Sequence, residues 1–323
     1  MSRKWKYCIF VLFASVFYYL QIKFPNILFM EASIDSWNIA RRCIVSLTCS
    51  LLLFVMIFLV TNRNELAPYF AKFMKFKPLL YLLVKRDFKA KYKRSFLGIV
   101  WTILNPLLIM LILTIVFSYM FRFDIKNFPV YLLSGQLIFA FFSEATTLSM
   151  GSILGAGSLI KKVNLPKYIF PISRVLSSLI NLMLSFTALI LVMLITRAPF
   201  HWTILLAPIP IIFTFLFSLG VGLIMSAAIV FFRDMMYLYN IFLTALTYFT
   251  PIFYPISIIP DKYRFLISLN PMYHYVEYFR TVAIYGGLPT SWQNIICSLM
   301  SIASLSAGLY VFYKKQDRFI LYI

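Results

Sequence analysis

Acidic side chains are scarce in this chain: ten Asp and Glu stand against 30 Lys and Arg. The scarcity removes whole classes of chemistry. No cluster of carboxylates is present to hold Mg²⁺, which membrane enzymes that handle diphosphate sugars need. Histidine is rarer still, and His201 and His274 stand apart from each other and from any cysteine, so no metal site is expected. Cys8, Cys43, Cys49 and Cys297 lie in or beside apolar runs without paired spacing and read as small buried hydrophobes. Only ten glycines occur, and none builds a dinucleotide fingerprint. The patterns G-x-x-x-x-G-K-[ST], G-x-S-x-G and H-E-x-x-H are missing. The chain is therefore not expected to be an enzyme or to carry a cofactor. Any work against a gradient draws its energy from a partner.

Charge of either sign makes up 12% of the residues and hydrophobic side chains 62%. A soluble domain carries about 25% charge, so lipid must cover most of this apolar surface. About 20 apolar residues cross a ~30 Å hydrocarbon core as a helix. Eight candidates appear, at 7–22, 43–60, 99–121, 130–154, 175–195, 203–232, 235–258 and 291–313. The one charged side chain inside them is Glu144. Pro208 and Pro210 mark an interfacial start or a kink in the overlong run at 203–232. Residues 7–22 follow Arg3, Lys4 and Lys6 but lack a small-x-small cleavage site, which favours a retained anchor. With the N-terminus in the cytoplasm, alternation gathers 21 of the 30 basic residues on the cytoplasmic side. That asymmetry accounts for the net charge of +20 without nucleic acid as a partner.

Three segments between the spans stand out. In 79–97, Leu80, Val84, Phe88, Tyr92 and Phe96 form one stripe among Lys85, Arg86, Lys89, Lys91, Lys93 and Arg94. The pattern predicts a helix lying among anionic headgroups; a generic basic flank is the alternative. The loop 155–174 is broken by Pro166 and Pro171, and reads either as a short helix pressing on a cytoplasmic partner or as a solvated basic loop. Residues 259–290 split at Asn270–Pro271 into two amphipathic pieces, each too short to cross, with many aromatics. A re-entrant hairpin capping an outer exit fits them, and an aromatic belt at the interface is the alternative.

Four blocks together resemble the membrane-spanning permeases of type 2 ATP-binding-cassette exporters, in the branch that exports O-antigen, capsule and teichoic acid. LLVKRDFKAKYKRSFLGIVWTILNPLL at 82–108 is similar to the interface helix entering the first core span, with Gly98, Trp101 and Pro106 in their places. SLIKKVNLPKYIFPISRV at 158–175 resembles the coupling loop, FFRDMMYLYNIFLTALTYFTPIFYP at 231–255 the Arg-Asp turn and fifth core span, and LNPMYHYVEYFRTVAIYG at 269–286 the outer hairpin. The resemblance runs over about 78–320. It implies an all-α integral membrane protein of the bacterial cytoplasmic (inner) membrane, multi-pass. An N-terminal extension (1–75) carries an extra two-helix hairpin, an amphipathic interface helix spans 76–98, and a six-span core spans 99–323 with its re-entrant part at about 259–290. It further implies a homodimer, a nucleotide-binding ATPase subunit that supplies ATP and Mg²⁺, and a lipid-linked polysaccharide as cargo.

Candidate residues follow. Arg86, Asp87, Lys161, Lys162, Arg233 and Asp234 sit where an ATPase would couple. Tyr254, Asn270, Pro271, Tyr275, Glu277 and Arg280 belong to the outer re-entrant gate. Glu144 is the intramembrane polar group. A permease exporting drugs or lipids, and a membrane enzyme of cell-envelope glycan assembly, are the alternatives. The LIKKVNLPKYIFP and NPMYHYVEYFR blocks weigh against the first, and the missing acids against the second. The orientation is testable with single cysteines at Asn38, Asn127, Lys162 and Pro289 in a background freed of native cysteines. An impermeant thiol reagent on intact cells should label all but the one at Lys162, and labelling there would reverse the topology.

Overall fold

The computed structural model describes residues 74–93, 98–120, 125, 127–163 and 165–323. The expected spans at 7–22 and 43–60, and with them the N-terminal hairpin, lie outside the described residues. Among the described residues all regular structure is helical. Pro78–Pro289 and Met300–Ile323 belong to one compact unit, while 74–77 and Thr290–Leu299 belong to another.

The basic stripe folds as expected. Helix α1 (Lys77–Tyr92) buries Leu83 and half-buries Leu80, Val84, Phe88 and Tyr92, leaving Lys85, Arg86, Lys89 and Lys91 exposed. Among the described residues, five elements are long and apolar enough to cross a membrane. They are α2 (Val100–Met120), α3 (Phe128–Met150), α6 (Ile169–Ile195), the run Trp202–Phe231 ending in α7 (Pro208–Phe231), and the run Ser291–Tyr322 containing α11 (Ser291–Lys315). Between α3 and α6 lie two short helices, α4 (Ser152–Gly155) and α5 (Gly157–Lys162).

Helix α3 is the central post, with 16 of its 23 residues buried, and α2, α6, α7 and a later helix, α10 (Pro271–Ala283), all pack on it. Its buried sides mix large apolar residues with Ser134, Gly135 and Ser149, small enough for neighbours to approach. Helix α7 meets α11 closely at Gly220, where an added Cβ would strike the backbone at Ser304, and Gly308 faces Gly220 in return. Ser301 and Ser304 then donate to the carbonyls of Phe213 (2.8 Å) and Phe217 (3.0 Å) across that crossing. Helix α2 is the opposite case, since none of Val100–Phe117 is buried.

Several boundaries differ from the sequence reading, for local reasons. The span expected at 175–195 starts at Ile169, because Pro171 falls in the first turn of α6, where no N–H partner is required. Pro171 therefore does not break the loop 155–174, which contracts to α5 and a short connection. The span expected at 130–154 bends at Gly151. Pro208 opens α7 after a 3₁₀ turn at Trp202–Leu206, so the prolines mark a start and not a kink.

The largest difference concerns 235–258. Helix α8 (Met235–Phe249) has 15 residues, about 22 Å, and stops because Thr250 precedes Pro251. The chain then continues irregularly to α9 (Asp261–Ser268) and α10. The split at Asn270–Pro271 is as expected: Asn270 caps α10, its Oδ1 accepting from the Met272 N–H at 3.0 Å, with Pro271 at the first helical position.

Irregular backbone inside an apolar bundle must find polar partners. Arg280, fully buried, supplies them: Nη1 donates to the Pro251 carbonyl at 2.8 Å, and Nη2 to the carbonyls of Tyr131 (3.1 Å) and Ile252 (3.2 Å). The Tyr131 ring lies 3.5 Å beneath the guanidinium, and its hydroxyl donates to the Tyr254 carbonyl at 3.0 Å. Asn270 Nδ2 donates to Thr250 Oγ1 at 2.8 Å and to the Phe249 carbonyl at 3.3 Å. Gly135 leaves room for the guanidinium, since a Cβ there would lie 2.6 Å from Nη2.

Arg280→Met should cost about 3 kcal/mol or more, because buried carbonyls lose their donors. Arg280→Lys should recover little of it, since one ammonium cannot reproduce the planar fork. Gly135→Ala should also destabilise by pushing on the same group. Thermal unfolding of the detergent-purified protein measures all three, and a wild-type midpoint for Arg280→Met would refute this account of the broken segment.

Candidate functional site

On the mostly apolar helix α8, Asn240, Thr244 and Thr247 follow an i, i+4, i+7 spacing that sets them on one face. Opposite them α3 presents Ser143, Glu144 and Thr147. The two polar faces enclose an open groove of about 610 Å³, completed by Ala140, Leu148 and Leu243. Thr244 and Thr247 donate their hydroxyl protons to their own helix, at the carbonyls of Asn240 (3.0 Å) and Leu243 (2.8 Å). Their oxygens are thereby turned to the groove as acceptors. Polar faces in apolar helices turn to protein or to a watery path. The sequence reading did not name these residues, although the spacing of Asn240, Thr244 and Thr247 within an apolar helix was a legible signal.

Glu144 forms one corner of the groove and also lines a second space. Its Oε1 accepts from Lys91 Nζ and from Asn181 Nδ2, both at 2.8 Å. Asn181 Oδ1 accepts from the Tyr92 hydroxyl at 2.9 Å, and that hydroxyl meets Thr102 Oγ1 at 2.7 Å. These bonds tie α1 to α2, α3 and α6. Around them lies a cavity of about 500 Å³ with Trp101, Asn105 and Gln136 in its wall. The intramembrane acid of the sequence reading is thus the centre of a network, and its partner Lys91 comes from the interface helix.

The outer residues fall into three groups. Asn270, Pro271, Arg280 and the Tyr254 backbone are gathered at the break after α8. Tyr275 is buried and pairs its hydroxyl with Ser301 Oγ at 2.8 Å, which makes it part of the packing between α10 and α11. Glu277 is half-buried, three residues before Arg280. Tyr278 and Phe279 are also fully buried, whereas Tyr263 and Phe265 on α9 are exposed. An aromatic belt therefore describes α9 but not α10.

The described residues thus form a bundle of long apolar helices with an open polar groove between α3 and α8. A family profile described as "ABC-2 type transporter" matches residues 78–284. The chain belongs to that family. The O-antigen export system permease protein RfbA of Myxococcus xanthus is 31% identical over 248 residues, covering 76% of this chain and 95% of the relative. RfbA of Klebsiella pneumoniae is 29% identical over 246 residues, covering 75% and 93%. The polysialic acid transport protein KpsM of Escherichia coli is 25% identical over 242 residues, covering 73% and 92%. An ABC-2 permease is a multi-pass transport subunit and not an enzyme, and ATP is hydrolysed by a separate ATPase subunit.

The coupling candidates of this ABC-2 permease are placed unevenly. Lys161 and Lys162 are exposed at the end of α5, so the loop is helical there, and Arg233 and Asp234 are exposed in the turn between α7 and α8. The Arg86 side chain is 58% exposed, but Asp87, at 9%, is turned inward. Asp87 Oδ2 lies 2.9 Å from Arg174 Nη1 on α6, and Oδ1 lies 2.9 Å from Arg86. A further element was not foreseen. The short C-terminal helix α12 (Phe319–Tyr322) packs on α5 and α7. Its buried Phe319 lies 5.3 Å from the Phe312 ring and 5.9 Å from Phe231, and Ile323 rests against Gly157. Lys167 Nζ donates to the Gln316 carbonyl at 2.6 Å. The apolar FILYI after the basic KKQDR was the signal for it.

The Lys91–Glu144 pair is partly exposed, and such a pair is worth about 1 kcal/mol or less. Glu144→Leu should therefore speed amide hydrogen exchange in 87–92 by about five-fold. Glu144→Gln, which keeps an acceptor for Lys91 and Asn181, should change it less. Equal exchange in both variants and wild type would mean that α1 is held elsewhere.

Proposed function

We propose that this chain is the membrane-spanning subunit of an exporter that carries a lipid-linked polysaccharide across the bacterial cytoplasmic membrane. A separate ATPase subunit, holding ATP and Mg²⁺, drives it. The observation that carries the reading is the groove between α3 and α8: hydroxyl, amide and carboxylate groups along a bundle that is otherwise apolar. A hydroxyl-rich chain needs such a wetted wall. The named roles of the relatives, O-antigen export and polysialic acid transport, supply the class of cargo.

The working unit is a homodimer. Support comes from α2, unburied along its whole apolar length within one chain, and from the openness of the groove, which a second copy would close. Coupling falls to the exposed Lys161, Lys162, Arg233, Asp234 and Arg86. Asp87 acts through Arg174, fixing the angle of α1 instead of meeting the ATPase itself. At the outer end α10 is the fixed part of the gate, held by Arg280 and Asn270. Helix α9, which buries only Ile267, is the part free to move about the Asn270–Pro271 joint.

The test uses the full complex in cells. Deleting this chain should abolish surface polysaccharide and strand the lipid-linked glycan inside, and unchanged surface glycan would refute the reading. Lys161→Glu with Lys162→Glu should insert normally yet lower export by about ten-fold or more, the effect of losing 1.4 kcal/mol at a contact. Lys→Arg at both sites should retain more. Normal export by the glutamate pair would remove α5 from the coupling surface.

A further inference from the structure

The cavity of about 500 Å³ under α1 is not explained by export through the groove. Its volume lies within the ~300–1,000 Å³ range of small-molecule sites. Its wall joins amides and hydroxyls (Asn105, Gln136, Asn181, Ser185) to the face of Trp101. Gln136 Oε1 is buried without a hydrogen-bond partner among the described residues, an arrangement that a bound donor would relieve. The charge on this wall is balanced, because Lys91 and Glu144 lie 2.8 Å apart. A phosphate would have to break that pair, and a hydrocarbon tail would leave the buried Gln136 carbonyl unmet. A neutral ligand with many hydroxyls satisfies both conditions: its hydroxyls donate and accept among the amides, and its apolar ring face lies on the aromatic side chain.

We propose that this cavity is a sugar-binding site, which holds a neutral saccharide unit of the cargo beside the groove before it passes along it. The inference rests on the polysaccharide-export reading. Glu144 and Ala140 belong to both walls, so the cavity adjoins the groove and Glu144 faces a saccharide in either space.

Site-specific photo-cross-linking in cells that carry the ATPase partner and make their own glycan tests this. A photoreactive residue replaces Ser185 in the cavity, Thr244 in the groove, or, as the control, Ile195, which is 80% exposed. Irradiation should give periodate-sensitive glycan adducts at Ser185 and Thr244 and none at Ile195. Adducts at Thr244 alone, or only phospholipid at Ser185, overturn the cavity site and leave the export reading standing. No glycan at either position overturns both. In parallel, Gln136→Leu and Asn105→Leu keep size but remove the amides. Each should lower export at least several-fold while leaving hydrogen exchange in α1 unchanged. Wild-type export by both variants also overturns the proposal.

Discussion

Where α8 stops after 15 residues, the chain runs on as irregular backbone among apolar helices, and its carbonyls lose their helical partners. In lipid each such group costs several kcal/mol unless it is met. One guanidinium meets the carbonyls of Pro251, Ile252 and Tyr131, and the Tyr131 ring covers its face. The desolvation of a buried cation and the desolvation of broken backbone are each unfavourable alone, and pairing them offsets part of both costs. The rest of the outer end depends on this. α10 can lie against α3 because Gly135 leaves space for Arg280, and Asn270 can cap α10 while holding Thr250 because the break has been fixed beside it.

The two ends of the bundle are fastened by different physics. The outer fastening is buried and neutral-to-cation, out of reach of water and salt. Among the inner fastenings, Lys91–Glu144 is partly exposed and open to screening by salt, whereas Arg174–Asp87 is more sheltered, with Asp87 turned inward. A rigid outer frame with a loosely tethered interface helix suits a subunit that receives its driving force from the cytoplasmic side.

Much of the architecture was legible because lipid imposes a crude rule. Long runs without charge at 99–121 and 175–195 read as spans, and the four-residue stripe of Leu80, Val84, Phe88 and Tyr92 favours an amphipathic helix over a generic basic flank. Apolarity, however, does not report where a helix ends. The run at 235–258 stays hydrophobic past Phe249, and only Pro251, acting on Thr250, betrays the break. Pro171 misled in the other direction, because proline in a first turn looks in sequence like proline in a loop. Long-range pairing was the least legible of all. Glu144 stood out as the sole intramembrane acid, but nothing local points from it to Lys91, 53 residues away, or from Arg280 to Tyr131.

That last separation has a consequence for biosynthesis. Arg280 follows Tyr131 by 149 residues and Pro251 by 29. At about 5–20 residues per second, α3 waits about ten to thirty seconds for the side chain that completes its outer end. Arg280 lies in the last turn of α10, and that helix, at 13 residues, is too short to cross the hydrocarbon core. Helix α10 is therefore not delivered to its place as an inserted segment. Its contacts with Tyr131 and Pro251 can form only once α3, α8 and Arg280 have all been synthesised, so the outer hairpin completes this frame last.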